Sequence, residues 1–189
     1  MPNLAESELR KIRGAQIGMV FQDAAASLCP IRTIGDQIYE SMAAHGKISR
    51  AGAEQKALAL FDKLGFEDAR RVWSSYPFEL SGGMNQRVAI AMAALMEPRV
   101  LLADEPTSAL DVSVQRQVLR ELEALRAATG AAIVLVTHDI GVVSAVADTV
   151  LVLRDGRVEE YGSAESVLRR PASEYTRRLL DAAPRLRRS

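Results

Sequence analysis

Four consecutive apolar residues, Val100-Leu101-Leu102-Ala103, run straight into Asp104-Glu105-Pro106. No polar side chain interrupts the run, as expected for a β-strand buried on both faces of a parallel sheet. Such a strand must be covered by helices, and helical apolar spacing lies on either side of it, so the chain is predicted to be α/β with a mainly parallel sheet. The way the run ends also limits where chemistry can occur. In an open α/β sheet, ligands sit beyond the carboxyl ends of the strands. An acid at that position, Asp104, can hold Mg²⁺ directly or through water. The next acid, Glu105, can orient or deprotonate a water for attack on a phosphate. A strand end that merely happens to be acidic would look the same, so the pair alone decides little.

The remaining elements follow from periodicity and punctuation. Residues 6–13 read as a short charged helix ended by Gly14, and residues 17–21 as a short strand leading into Gln22-Asp23. Residues 33–44 and 51–64 carry helical spacing; Ala57, Leu58, Leu60, Phe61 and Leu64 form the second stripe, and Gly65 is the stop. Residues 67–76 are irregular. A Ser-Gly-Gly turn then opens an Ala- and Met-rich helix that runs to about Met96 and stops before Pro98. Residues 112–128 form a long amphipathic helix, 131–136 a second buried strand and 140–147 a short helix. Residues 150–153 and 157–161 form a hairpin turning at Asp155-Gly156, and two short helical pieces follow.

Three further groups bear on function. Ser81 is placed to cap the helix it precedes. Gly82 and Gly83 carry no side-chain bulk, so backbone N–H groups there can approach a ligand closely, at a helix end that favours anions. His138 stands just past a strand, where it could reach a phosphate, although a strand-end histidine is more often structural. His45 lies in a polar stretch and reads as solvated. Gln22 offers a neutral amide that can bond both a metal-bound water and a phosphate oxygen.

The bulk numbers exclude several classes. The 189 residues fit one domain, and a 48% hydrophobic share supports a sizeable core. With 24 Lys+Arg against 24 Asp+Glu, the chain has no basic excess for nucleic acid. The Arg185–Arg188 tail reads as a solvated end. The single cysteine, Cys29, can form neither an internal disulfide nor a multi-cysteine metal site, which fits a reducing cytoplasmic compartment. No apolar run approaches the roughly 20 residues of a membrane span, and the polar start carries no secretory signal, so any membrane contact is expected through a partner only.

Taken in order, Gln22, Leu80-Ser81-Gly82-Gly83, Asp104-Glu105-Pro106-Thr107-Ser108-Ala109-Leu110-Asp111 and His138 resemble the nucleotide-binding domain of ABC ATPases across essentially the whole chain. In that family these are the Q-loop, the signature motif, Walker B with its catalytic glutamate, the D-loop and the switch histidine. The resemblance implies a P-loop NTPase-like fold, ATP and Mg²⁺, and two domains that sandwich two ATP molecules head to tail. It implies Glu105 as general base, Asp104 and Gln22 at Mg²⁺, and His138 at the γ-phosphate. Ser81, Gly82, Gly83 and Gln86 would lie at the partner's ATP, with Asp111 acting across the interface. The partners implied are a second ABC ATPase subunit, alike or different, and transmembrane permease subunits, with the chain peripheral on the inner face of the membrane. Glu8-Leu9-Arg10-Lys11-Ile12-Arg13-Gly14, Val20-Phe21-Gln22-Asp23, Tyr76-Pro77-Phe78-Glu79-Leu80, Asp111-Val112-Ser113-Val114-Gln115 and the stretch from Pro171 to Leu180 are similar to the ATPases of dipeptide, oligopeptide and nickel importers.

Two departures from the family pattern stand out. Asn85 occupies a signature position that in this group is usually basic or glutamine. More importantly, the Gly-x-x-x-x-Gly-Lys-Ser/Thr string of a P-loop is missing. Of Lys11, Lys47, Lys56 and Lys63 only Lys47 follows a glycine, and it is followed by Ile48 with Ser41 at the first glycine position. The upstream adenine-stacking aromatic has no counterpart. The expectation is therefore a partial domain without its N-terminal β-rich part, for which Met1 is not the natural start. It would comprise a helical subdomain at about 30–96, the C-terminal half of the catalytic core at 97–162 and an extension at 163–189. Its rivals are a module that donates a signature motif without hydrolysing ATP, and a non-transport ABC ATPase. The short stretch between Gln22 and Ser81, with no coiled-coil insert, speaks against the last.

Overall fold

A computed structural model describes residues 4–108 and 110–182; Arg185–Arg188 lie outside the described residues. The chain divides into two compact units, Met1–Val136 and Thr137–Ser189. The first unit contains, in order, α1 (Glu6–Ile12), β1 (Ile17–Val20), α2 (Ala24–Ser27), α3 (Ile34–His45), α4 (Arg50–Lys63), α5 (Ala69–Ser74), a 3₁₀ turn (Pro77–Glu79), α6 (Gly82–Ala94), β2 (Val100–Asp104), α7 (Val112–Thr129) and β3 (Ala132–Val136). The second contains α8 (Ile140–Val146), β4 (Thr149–Arg154), β5 (Arg157–Ser163), α9 (Ala164–Arg169) and α10 (Glu174–Ala182).

Local chemistry sets most helix boundaries. Thr33, Ser49, Asp68 and Ser81 each accept a backbone N–H from the first turn of α3, α4, α5 and α6, which satisfies donors the helix itself cannot. At the other end of α4, Gly65 has φ +70°. Its N–H donates to the Asp62 carbonyl and that of Phe66 to the Phe61 carbonyl, both at 3.0 Å. This is the paired closure of a Schellman motif, and its hydrophobic contact is present too: the Phe61 and Phe66 rings lie 4.8 Å apart. A residue with a Cβ would strain the backbone at position 65.

The first unit has two apolar clusters. One belongs to the helices and centres on the fully buried Ile34, Ile38, Ala53, Ala57, Phe61 and Val88, with Trp73 beside them. Here the structure adds an element: α5 lies within the stretch read as irregular. Its cap is Asp68, and Ala69, Val72 and Trp73 turn inward. Six residues are too few to show a helical period, so their burial against α3 and α4 determines the fold.

The second cluster covers one face of a parallel sheet ordered β1-β2-β3. Val20 pairs with Ala103, and Ala103 with Leu135. Val20, Leu101 and Ala103 pack with Ile133, Leu135 and the Val118, Leu122 and Leu125 stripe of α7. The other face departs from expectation. Along β2 only Leu101 and Ala103 are fully buried, and along β3 no residue is. Val134 and Val136 are 48% and 54% exposed. A continuous apolar run thus predicted cover on both faces where one face is open. In the second unit β4 and β5 pair antiparallel around Asp155 and Gly156, whose φ values of +49° and +75° match the two-residue turn expected there.

Candidate nucleotide site

The carboxyl end of β2 delivers Asp104 and Glu105, both half-buried. Glu105 is a non-glycine residue with φ +43°, a conformation that costs about 1–3 kcal/mol and is held only by its surroundings. Those surroundings are visible. The Glu105 N–H donates to the Val136 carbonyl at 2.9 Å, which extends the β2–β3 ladder by one rung. Its own carbonyl accepts from the Ser108 N–H at 3.2 Å and the Ser108 hydroxyl at 3.1 Å. Pro106 and Thr107 are buried beneath. The strand is thus pinned up to the turn, and the Glu105 side chain is aimed by a strained backbone.

The end of β1 lies next to that of β2, so the loop that follows β1 brings Gln22 to the same edge. The Gln22 amide Nε2 donates to Glu105 Oε2 at 3.1 Å, joining residues 83 apart in sequence. The bond orients the carboxylate, and the amide oxygen of Gln22 takes no part in it. Among the described residues no group of three or more His, Cys, Asp or Glu is placed to hold a metal. The donor set of one strand-end carboxylate and one amide oxygen suits Mg²⁺, which keeps several waters and takes one or two carboxylates together with substrate phosphates.

A second group forms at the starts of α6 and α7. Ser81 accepts the Met84 N–H at 3.2 Å, and Ser81 and Gly82 are exposed. The two glycines differ. A Cβ on Gly83 would sit 2.7 Å from Val114 Cγ1, whereas a Cβ on Gly82 would meet nothing within 4 Å. Packing within the chain therefore requires glycine at 83 but not at 82, the first helical position of α6. Nothing among the described residues calls for a glycine at 82. Across the Gly83–Val114 contact, Asp111 caps α7: its Oδ1 accepts from the Ser113 N–H at 2.9 Å, the Val114 N–H at 3.0 Å and the Ser113 hydroxyl at 2.6 Å. Chiefly the Ser113 hydroxyl, and then the Val114 N–H, hold its carboxyl below the ordinary range.

Two more residues expected at the site are placed as follows. Gln86 is 4% exposed and faces inward, so the turn presents Ser81 and Gly82 rather than the Gln86 amide. His138 is exposed and belongs to the second unit, where Thr137 and Asp139 organise the start of α8. Asn85 is buried, and its Nδ2 donates to the Pro77 carbonyl at 2.9 Å, tying α6 to the 3₁₀ turn before it. The pair missed in the sequence is Arg87–Glu121, an ion pair between α6 and α7. Its signal was present: Glu121 interrupts the apolar stripe of Val118, Leu122 and Leu125.

The family profile described as ABC transporter matches residues 3–108, more than half of the chain. The chain belongs to the ABC transporter family. A putative peptide import ATP-binding protein of Brucella melitensis is 48% identical over 181 residues, covering 96% of this chain and 54% of that protein. The oligopeptide transport ATP-binding protein OppD of Salmonella typhimurium is 45% identical over 184 residues, covering 97% of this chain and 55% of OppD. The chain thus spans about half the length of the curated relatives it matches. A solved dimeric ATP-binding cassette, in a post-hydrolysis state bound to ADP and Pi, superposes with a TM-score of 0.73 at 34% identity, over 86% of this chain and 68% of that one. The α/β cassette fold and the family's use of ATP follow. Among the described residues no helix is long and apolar enough to cross a membrane.

Proposed function

We propose that this ABC chain is part of the ATP-hydrolysing subunit of a peptide importer and that Glu105 is its general base. The observation that carries the reading is the Gln22–Glu105 hydrogen bond at the carboxyl edge of the parallel sheet. Glu105 would accept a proton from the attacking water while Gln22 holds the carboxylate in place. Asp104, with the Gln22 amide oxygen, would hold Mg²⁺, which when bound neutralises charge on the phosphates. His138 would meet the γ-phosphate. Ser81, Gly82 and Gly83, with Asp111 beside them, would face the nucleotide of a second ABC ATPase subunit. The open space at Gly82 and the dimeric cassette holding ADP and Pi support that part. Phe21, Ile31 and Phe78, at 51%, 83% and 72% exposure, flank the Gln22 loop and the Ser81 turn in sequence. They offer apolar contact to a permease, through which the subunit would sit on the inner face of the membrane.

One observation favours a second reading. Without a P-loop string in these residues, the chain can donate the Ser81 edge to a partner that holds the ATP while hydrolysing none itself.

The test places a P-loop segment ahead of residue 1 and compares wild type with Glu105→Gln. Turnover should fall by about 10²–10⁴-fold, as for the loss of a positioned base. ATP binding should survive, and an ATP-bound dimer should accumulate on a sizing column. Near-normal turnover in the variant would remove Glu105 from the role.

A further inference from the structure

The contact between α6 and α7 is held at two levels. At the helix starts, Gly83 packs against Val114 so closely that no Cβ fits. One turn further along α6, the Arg87 guanidinium is buried and makes three contacts. Its Nε donates to Glu121 Oε1 on α7, its Nη2 donates to the Leu64 carbonyl at the end of α4 at 2.6 Å, and it lies over the Phe66 ring at 4.2 Å from the centroid. The two side chains of the ion pair are only 11% and 6% exposed.

Stability alone does not explain such a pair. A buried ion pair gains little over well-packed apolar residues of similar volume, and its best-attested use is to fix the register of packed elements. Burial pushes the Glu121 carboxyl up even though Arg87 opposes the shift, so desolvation outweighs attraction. The register fixed here is that of α6 on α7, the helices whose first turns carry Ser81 and Asp111. Three anchors on one guanidinium leave α6 free neither to rotate nor to slide by a turn, about 5.4 Å.

We propose that Arg87 is a positioning residue: through Glu121 and Leu64 it locks the Ser81 turn to the Asp111 helix start, so that the two meet the opposing subunit's nucleotide as one edge. This rests on the reading of Ser81–Gly83 and Asp111 as groups that act across a dimer.

The deciding variant is the double replacement R87M/E121M in the full chain carrying a P-loop segment ahead of residue 1. Removing both charges leaves neither partner uncompensated, so the fold should keep or raise its Tm. Turnover should nevertheless fall about tenfold, the size of effect seen when a coupling element is disturbed, with KM for ATP within about twofold because the P-loop side is untouched. E121Q keeps the volume and an acceptor for Nε and should stay within about threefold of wild type. A folded double variant with wild-type turnover overturns the proposal, as does an E121Q that keeps its Tm yet loses as much as the double. Ser81→Ala, measured alongside, separates the two levels. If it leaves turnover unchanged, the reading of the Ser81 edge fails; if it abolishes turnover while R87M/E121M does not, the positioning role alone fails.

Discussion

The helical cluster and the three-stranded sheet lie in the same compact unit, yet they are finished to different degrees. Around Phe61 the helices close on themselves. Their starts are capped by Thr33, Ser49, Asp68 and Ser81, α4 ends in a complete Schellman closure, and the central side chains have no exposure at all. The sheet is packed on the Leu101 face and open on the Met19, Val134 and Val136 face. The difference is instructive because the proposed chemistry sits on the less finished element: Asp104 and Glu105 are presented by β2, not by the closed helical core. The helices contribute a rigid edge, Ser81 to Gly83, whose geometry needs nothing beyond the unit.

The comparison breaks most easily at Phe61. Truncation to alanine in a fully closed cluster leaves a cavity and should cost about 3–5 kcal/mol, together with cooperative unfolding of α3–α5. Denaturant unfolding followed by tryptophan fluorescence reads this directly, since Trp73 lies in the same cluster. A loss below about 1 kcal/mol would mean that the helical cluster is as loosely built as the sheet.

These two regions also differ in how far they were legible from residues alone. Gln22, Asp104 and Glu105 could be placed because strand ends follow from apolar runs and ligands follow strand ends; their meeting at one edge is what parallel order β1-β2 supplies. Ser81 was legible as a cap residue, whereas Asp111 stood out only through the family resemblance, and its capping of α7 came from the structure. Three things were not. The cover on β3 depends on what packs over it, which an apolar run of five residues cannot say. The helix α5 is shorter than two turns, and so escapes any periodicity. The inward turn of Gln86 and the Arg87–Glu121 pair depend on the azimuth of α6, a helix apolar nearly all round, on which spacing marks no single buried face.

A smaller effect is expected at the caps on the helical edge. Ser81→Ala should cost about 1 kcal/mol of stability, the usual worth of a side-chain cap, measured by thermal unfolding at neutral pH. Asp111 allows the same question to be asked with pH. Its carboxyl is held below the ordinary value of 3.8 in the folded chain, so its contribution is fully present above that value and is lost as pH falls through the lower, folded value. Glu121, on the same helix, is shifted the other way from 4.5 by burial. Its ionisation opposes folding, so its effect is a loss of stability as pH rises through the window above 4.5. Carboxyl titration by NMR should show Asp111 shifted to lower and Glu121 to higher pH; both moving in one direction would contradict the contrast between cap and core on α7.

The smallest expected effect is the one that best sharpens the comparison. Val134 sits at the centre of β3, paired with Leu102, on the open face of the sheet. Val134→Thr keeps the β-branched shape and therefore the strand preference, and exchanges one methyl for a hydroxyl. On a packed face that exchange is costly, because the hydroxyl would be buried without a partner, at about 1–3 kcal/mol. On an open face water satisfies it, and the change should stay within about 0.5 kcal/mol. Leu101→Ala on the opposite face of β2 serves as the reference, with an expected loss of about 2–5 kcal/mol. If both substitutions prove costly in denaturant unfolding, the open face is covered in solution, and the sheet is as closed as the helical cluster. If only Leu101→Ala is costly, the strand that carries Asp104 and Glu105 is anchored from one side, and the alignment of Glu105 depends on the α7 face, the Val136 rung and Gln22.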